Sequence, residues 1–73
     1  MSMFLNLKSK SPGISPEVAK IELTELLDEG DVVDAVRSMN ALGFPNETLT
    51  IYEVGNEEIE AYEVEEFLAN AIR

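Results

Sequence analysis

The spacing of apolar residues changes twice along this chain, and those changes limit the fold. Before Thr48 the apolar residues recur every three or four positions, as they do in helices. Residues 48–54 alternate instead and are rich in β-branched and aromatic side chains, which is typical of a strand. Helical spacing returns at Val64. We therefore predict a small single α+β domain of order α-α-β-β-α, in which a helical hairpin precedes a β-hairpin and a C-terminal helix.

The first helix is predicted over residues 16–28. Ser15 and Pro16 form a helix start, because a serine oxygen can accept from free backbone N–H groups and proline suits the first helical position. Val18 and Ile21 then fall among acidic residues on the outer face. The residues predicted to face the core are Ala19, Leu23, Leu26 and Leu27.

The second helix is predicted over residues 32–42. Gly30 is expected to end the first helix in the left-handed conformation, and Asp31 to cap the second. Gly43 is expected to end the second helix, with Phe44 folded back onto it.

The β-hairpin is predicted to turn at Gly55 and Asn56, with a return strand over residues 57–62. In this register Glu53 opposes Glu58. Tyr52, Ile59, Thr50 and Ala61 share the apolar face of the hairpin, and Leu49, Ile51 and Tyr62 lie on the outer face. An extension of the last helix back to residue 57 stays open as an alternative. A short strand over residues 3–7 is allowed as an additional N-terminal element.

The charge of the chain is unevenly placed. Acidic residues outnumber basic ones by 15 to 5, which gives 73 residues a formal charge of −10. Residues 1–13 hold two lysines and no acid, so we predict an arm or linker there and a single acidic domain over residues 14–73. Nucleic acid and anionic lipid are bound through Lys and Arg, so the charge excludes both as direct partners and favours a protein with a basic surface.

The residue types give no support to catalysis. Cysteine and histidine are absent, and no histidine or credible lysine base is available to activate a serine. The acids of residues 28–34 do not match a calcium loop, because valines interrupt the alternating oxygen ligands. We predict no catalytic residue, no metal site and no cofactor. No apolar run reaches the ~18 residues of a membrane span, and we expect a cytoplasmic protein.

Some acids are predicted to weaken the fold. Asp28 and Glu29 would crowd the C-terminal end of the first helix, where the helix dipole favours cations. Glu53 and Glu58 would form a like-charge pair across the hairpin. Stability alone does not explain such placements, so we predict an acidic binding surface. Its contact residues are Glu22, Glu25, Asp28, Glu53, Glu58 and Glu60.

The leading hypothesis is a non-enzymatic interaction module that inhibits or regulates a partner by occupying its basic site. If that site binds nucleic acid, the carboxylates replace phosphates, as in a DNA mimic, and the short gene suits a phage or another mobile element. The alternative is a small homo-oligomeric structural or adaptor subunit, a homodimer in its simplest form, associating through apolar faces. Its predicted contacts are Val18, Ile21, Leu49, Ile51 and Tyr62.

Overall fold

The computed structural model describes residues 2–8, 15–22 and 24–71, which leaves out Leu23 and residues 9–13 of the predicted arm or linker. The elements in chain order are strand β1 (Ser2–Leu7), helix α1 (Pro16–Glu22), helix α2 (Glu29–Ala41), a 3-10 turn (Asn46–Thr48), strand β2 (Leu49–Val54), strand β3 (Ile59–Glu63) and helix α3 (Val64–Ala71).

The predicted order α-α-β-β-α is wrong, because the N-terminal strand is a full member of the sheet. The three strands form an antiparallel sheet in the order β1-β2-β3, so β2 is central. β1 pairs with β2 along its whole length, from Ser2 opposite Val54 to Leu7 opposite Leu49. The chain is an α+β domain of order β-α-α-β-β-α, and its sheet needs β1 because Leu5 and Leu7 complete the buried side of β2.

Helix α1 begins as predicted and ends earlier. The Ser15 hydroxyl accepts from the Val18 N–H at 3.3 Å, which is the expected cap. The helix stops at Glu22 because the following segment pairs with the sheet: the Leu26 N–H donates to the Met3 carbonyl at 2.8 Å. The predicted helix over 16–28 is therefore a two-turn helix followed by an extended connection.

Helix α2 begins three residues earlier than predicted. Asp28, not Asp31, is its N-cap and accepts from the Asp31 N–H at 2.9 Å. Gly30 lies inside this helix, and its φ is not positive. The predicted stop is confirmed, since Gly43 has φ +101° and the Phe44 N–H donates to the Met39 carbonyl at 3.0 Å.

The β-hairpin forms, with its turn one residue later than predicted. The Gly55 N–H donates to the Glu58 carbonyl at 2.8 Å, which leaves Asn56 and Glu57 as the two turn residues. Every cross-strand partner therefore shifts by two positions, and Val54 lies opposite Ile59. The strand β3 excludes the alternative in which the last helix extends back to residue 57.

A single core lies between one side of the sheet and the helices. We call this side the inner sheet face: Leu5, Leu7, Leu49 and Ile51 are buried there. Residues of all three helices complete the core, namely Val18, Val32, Val36, Met39 and Val64. Within the described residues, no helix is long and apolar enough to cross a membrane.

The structure differs from the prediction in which side of α1 and which side of the β-hairpin face the core. The core side of α1 carries Val18, which is 2% exposed. Of the residues predicted to face the core, Leu26 is buried, Leu27 is 83% exposed in the connection after the helix, and Leu23 lies outside the described residues. In the hairpin Leu49 and Ile51 face the core, because they lie opposite the leucines of β1. The predicted oligomer contacts Val18, Leu49 and Ile51 are thus core residues of one chain, and Ile21 and Tyr62 pack against that core.

Candidate functional site

The acidic side chains are the most abundant polar feature of the surface. All fifteen lie within the described residues, and twelve of them are exposed. In the part of the chain that the structure describes, one ion pair forms, between Lys8 Nζ and Glu63 Oε2 at 2.7 Å. Most carboxylates therefore face solvent without a cation beside them, which leaves a strongly negative surface.

Three of the predicted contact acids are brought together by the hairpin. Glu53, Glu58 and Glu60 surround a small depression beside Gly55. The register places Glu53 directly opposite Glu60, so the predicted like-charge cross-strand pair exists with a different partner. We call these three residues the hairpin acids.

Tyr62 connects two of the hairpin acids. Its hydroxyl donates to Glu60 Oε2 at 2.5 Å and lies 3.3 Å from Glu53 Oε1. The hydrogen bond to Glu60, with partial burial and the negative charges of Glu53 and Glu60, raises the pKa of Tyr62 to about 12. A neutral hydroxyl donor between two carboxylates reduces the repulsion that their pairing creates.

The other three predicted contact acids do not form a common surface. Glu22 is 7% exposed, and its Oε1 accepts from the Leu7 N–H at 3.0 Å, so it ties α1 to β1. Glu25 accepts from the Ser2 hydroxyl at 3.0 Å beside the edge of the sheet. Asp28 is exposed and serves as the cap of α2.

The prediction that Asp28 and Glu29 weaken the fold is wrong. Asp28 and Glu29 lie at the N-terminal end of α2 rather than at the C-terminal end of α1. Negative charge is favourable at a helix N-terminus, where the backbone N–H groups are unpaired. These two acids stabilise the helix that they begin, and their position gives no independent sign of a binding role.

An apolar surface lies on the other side of the sheet, and its hairpin residues had been predicted to face the core. We call it the outer sheet face, formed by side chains that alternate with those of the core: Phe4, Tyr52, Val54, Ile59 and Ala61. Ile59 is 69% exposed, and none of the five belongs to the core or packs against it. Because β2 carries apolar residues on both sides, its own pattern did not show which side the helices cover. Strand β1 decides which side faces the core, because its leucines lie on one side only.

The described residues contain no group of three acids placed to hold a metal ion. The arrangement therefore offers negative charge and an apolar sheet face, both of which are means of binding a macromolecule. No family model, no curated protein and no solved structure matches this chain.

Proposed function

We propose that this protein is a non-enzymatic protein interaction module, which inhibits or regulates a partner by occupying a basic site on it. The observation that carries the proposal is the exposure of twelve carboxylates with a single ion pair among the described residues. Such a surface attracts a basic partner over long range and accelerates the encounter between the two proteins.

The hairpin acids are the centre of the proposed contact surface, since the structure holds them within one small region. Glu25 and Asp28 are exposed and remain in the contact set, whereas the buried Glu22 is removed from it. If the partner's basic site binds nucleic acid, these carboxylates occupy phosphate positions. The proposal then extends to a DNA mimic acting in the cytoplasm, of the compact kind that suits a phage or another mobile element.

The experiment is affinity capture on the immobilised chain from a candidate host lysate, with elution by a salt gradient. We expect the captured partner to elute as salt rises, because ion pairs at a surface are screened within about 8–10 Å at physiological ionic strength. Duplex DNA added to the lysate should compete if the occupied site binds DNA. Retention that does not respond to salt would contradict the proposal.

A matched pair of variants separates the hairpin acids from total charge. The double variant Glu58→Gln/Glu60→Gln removes two negative charges at the hairpin, and Glu65→Gln/Glu66→Gln removes two from the exposed first turn of α3. We expect the hairpin variant to weaken partner binding more than the α3 variant. Equal losses would mean that net charge alone, without a defined contact surface, attracts the partner.

A second candidate function is the homo-oligomeric subunit. It is favoured by the outer sheet face, which none of the described helices covers. Sedimentation equilibrium over a range of concentrations tests it directly. A chain that stays monomeric at high concentration excludes this alternative.

A further inference from the structure

The outer sheet face is wider than its three strands. Leu26 bridges Met3 from the far side of β1, so residues 25–27 run beside the sheet as a short fourth row. Leu26 points to the core, and its neighbours in extended chain point the other way. The hydrogen bond from the Ser2 hydroxyl to Glu25 confirms that Glu25 lies on the outer side. The same alternation adds Leu27, which is 83% exposed, to the outer sheet face.

The apolar residues of this surface are continuous across the rows. Phe4, Tyr52 and Ala61 lie side by side on the three strands. Val54 and Ile59 form the neighbouring row towards the hairpin turn. The two most exposed large apolar side chains of the described chain, Leu27 and Ile59, therefore lie at opposite borders of one surface. A contiguous apolar surface with this exposure is a mark of an interaction site.

Acids lie at the ends of the same surface. Glu25 lies at the β1 border, and Glu57 lies in the turn beyond Val54 and Ile59; both are exposed. In the described residues the cation near this side is Lys8, which is already paired with Glu63. A ligand that covers the apolar centre therefore meets negative charge at both ends. A second copy would bring a further −10 to the contact, whereas a ligand with Lys or Arg at its ends is complementary.

The size of the surface fits one helix. The three strands and the short row of residues 25–27, spaced by about 4.8 Å, extend for about 14 Å across the sheet, which is the length of about 10 helical residues. The two apolar rows lie about 7 Å apart along the strands, because the next row, Asn6, Thr50 and Glu63, is polar, so one helix lying across the strands covers both rows. Helices already cover the inner sheet face, so a helix on the outer sheet face would complete a three-layer arrangement.

We propose that the outer sheet face is the docking site for an amphipathic helix of the partner, with apolar residues along one side and Lys or Arg at both ends. This inference rests on the proposed function, because the basic partner supplies the helix. The apolar side of the helix packs on Phe4, Tyr52 and Ile59. The helix lies across the strands, and its cationic ends contact Glu25 at the β1 border and Glu57 beside Ile59 at the other.

The test uses a synthetic helical peptide of about 14 residues, with a leucine stripe and lysines at both ends. A control peptide has the same composition with the leucines scattered around the helix. Each is titrated into the full chain labelled for NMR, and amide shifts are followed. We expect the striped peptide to bind more tightly and to shift the amides of Phe4, Tyr52 and Ile59. Equal binding of both peptides, no binding of either, or shifts confined to residues away from the outer sheet face would overturn the inference.

Two variants of the outer sheet face and one control complete the test. Ile59→Ser should weaken binding of the striped peptide about tenfold, because most of an isoleucine side chain is lost from the contact. Ala61→Lys should weaken it as well, by placing a cation in the apolar centre. Leu42→Ser is the control, since Leu42 is also exposed, at 46%, and lies at the end of α2. Unchanged binding by both outer-face variants would refute the docking site.

The other occupants have distinct outcomes. A dimer seen by sedimentation equilibrium at physiological ionic strength and lost in Ile59→Ser would assign the outer sheet face to a second copy, and would overturn the inference. Salt-dependent capture of a partner that ignores Ile59→Ser and Ala61→Lys would also overturn it and leave the proposed function standing. Capture that does not respond to salt would overturn the proposed function itself.

Discussion

The buried carboxylate of Glu22 is the sharpest test of how this fold is held together. Replacing it by alanine removes the acceptor of the Leu7 N–H, a hydrogen bond of 3.0 Å inside the molecule. Leu7 is 8% exposed and Glu22 is 7% exposed, so water has little access to replace the lost partner. A buried donor left unpaired costs about 1–3 kcal/mol, and we expect Glu22→Ala to lower the free energy of unfolding by that amount.

This loss is large for a chain of 73 residues. Domains of this length have total stabilities of about 4–11 kcal/mol, so the substitution removes a substantial fraction. The midpoint of thermal unfolding should fall by about 4–8 °C for each kcal/mol lost. Glu22→Gln keeps an oxygen acceptor and should cost about 1 kcal/mol or less, since a neutral acceptor is weaker than a charged one.

Urea unfolding followed by circular dichroism measures these differences, and Glu17→Ala is the matched control. Glu17 is an exposed glutamate of the same helix, and its loss should change stability by about 0.5 kcal/mol at most. Hydrogen exchange adds a local readout, because the Leu7 amide should lose protection in Glu22→Ala. If Glu22→Ala were as stable as Glu17→Ala, the bond to Leu7 would not contribute as argued, and Glu22 would return to the acidic contact set.

Three further predictions concern the ends of α2 and the hairpin. Asp28→Ala should lower stability by about 0.5–2 kcal/mol, measured by urea unfolding, whereas Asp28→Asn keeps most of the cap. Gly43→Ala should lower it by about 1–2 kcal/mol, because φ is +101° there and an L side chain is strained in that region although nothing obstructs the Cβ. Tyr62 should ionise near pH 12 instead of its ordinary 10.0, in a titration of tyrosinate absorbance whose late step is lost in Tyr62→Phe. Because the folded pKa is the higher one, the stabilising contribution of the Tyr62 proton is complete below pH 10 and is lost as the pH rises to about 12. A late step that persists in Tyr62→Phe would contradict this prediction.

The features that sequence reasoning predicted correctly depend on local chemistry. The cap at Ser15, the stop at Gly43 and the start of α3 each involve residues within a few positions of one another. The length of α1 depended on a distant contact instead. Residues 23–28 continue a helical pattern, but Leu26 is held in an extended connection by its bridge to Met3. No pattern within the first helix contains that information.

The candidate site was predicted only in part, and the reason is again a contact between distant parts of the chain. A shift of two positions in the hairpin register keeps every residue on its own side of the sheet, so the hairpin acids stay together in spite of the error in the turn. Which side faces the core was decided by β1, whose Leu5 and Leu7 lie opposite Ile51 and Leu49. An N-terminal strand treated as optional could not supply that information, and so both the core and the uncovered face were assigned to the wrong sides.

The acidic surface and the outer sheet face also depend on each other. An uncovered apolar face next to an edge strand favours association of identical chains, and natural proteins oppose it with charges on the edge. β3 carries Glu60 and Glu63, and every copy has a charge of −10, so the same acids that attract a basic partner repel a second chain. Added salt screens both effects. Salt well above physiological ionic strength should therefore weaken capture of the basic partner while promoting self-association of the free chain through the outer sheet face. Capture and sedimentation on one sample measure these two opposite responses. If the acids bind a partner, added salt releases the partner while the chains associate. If the acids only keep the protein dispersed, the chains associate and no partner is released.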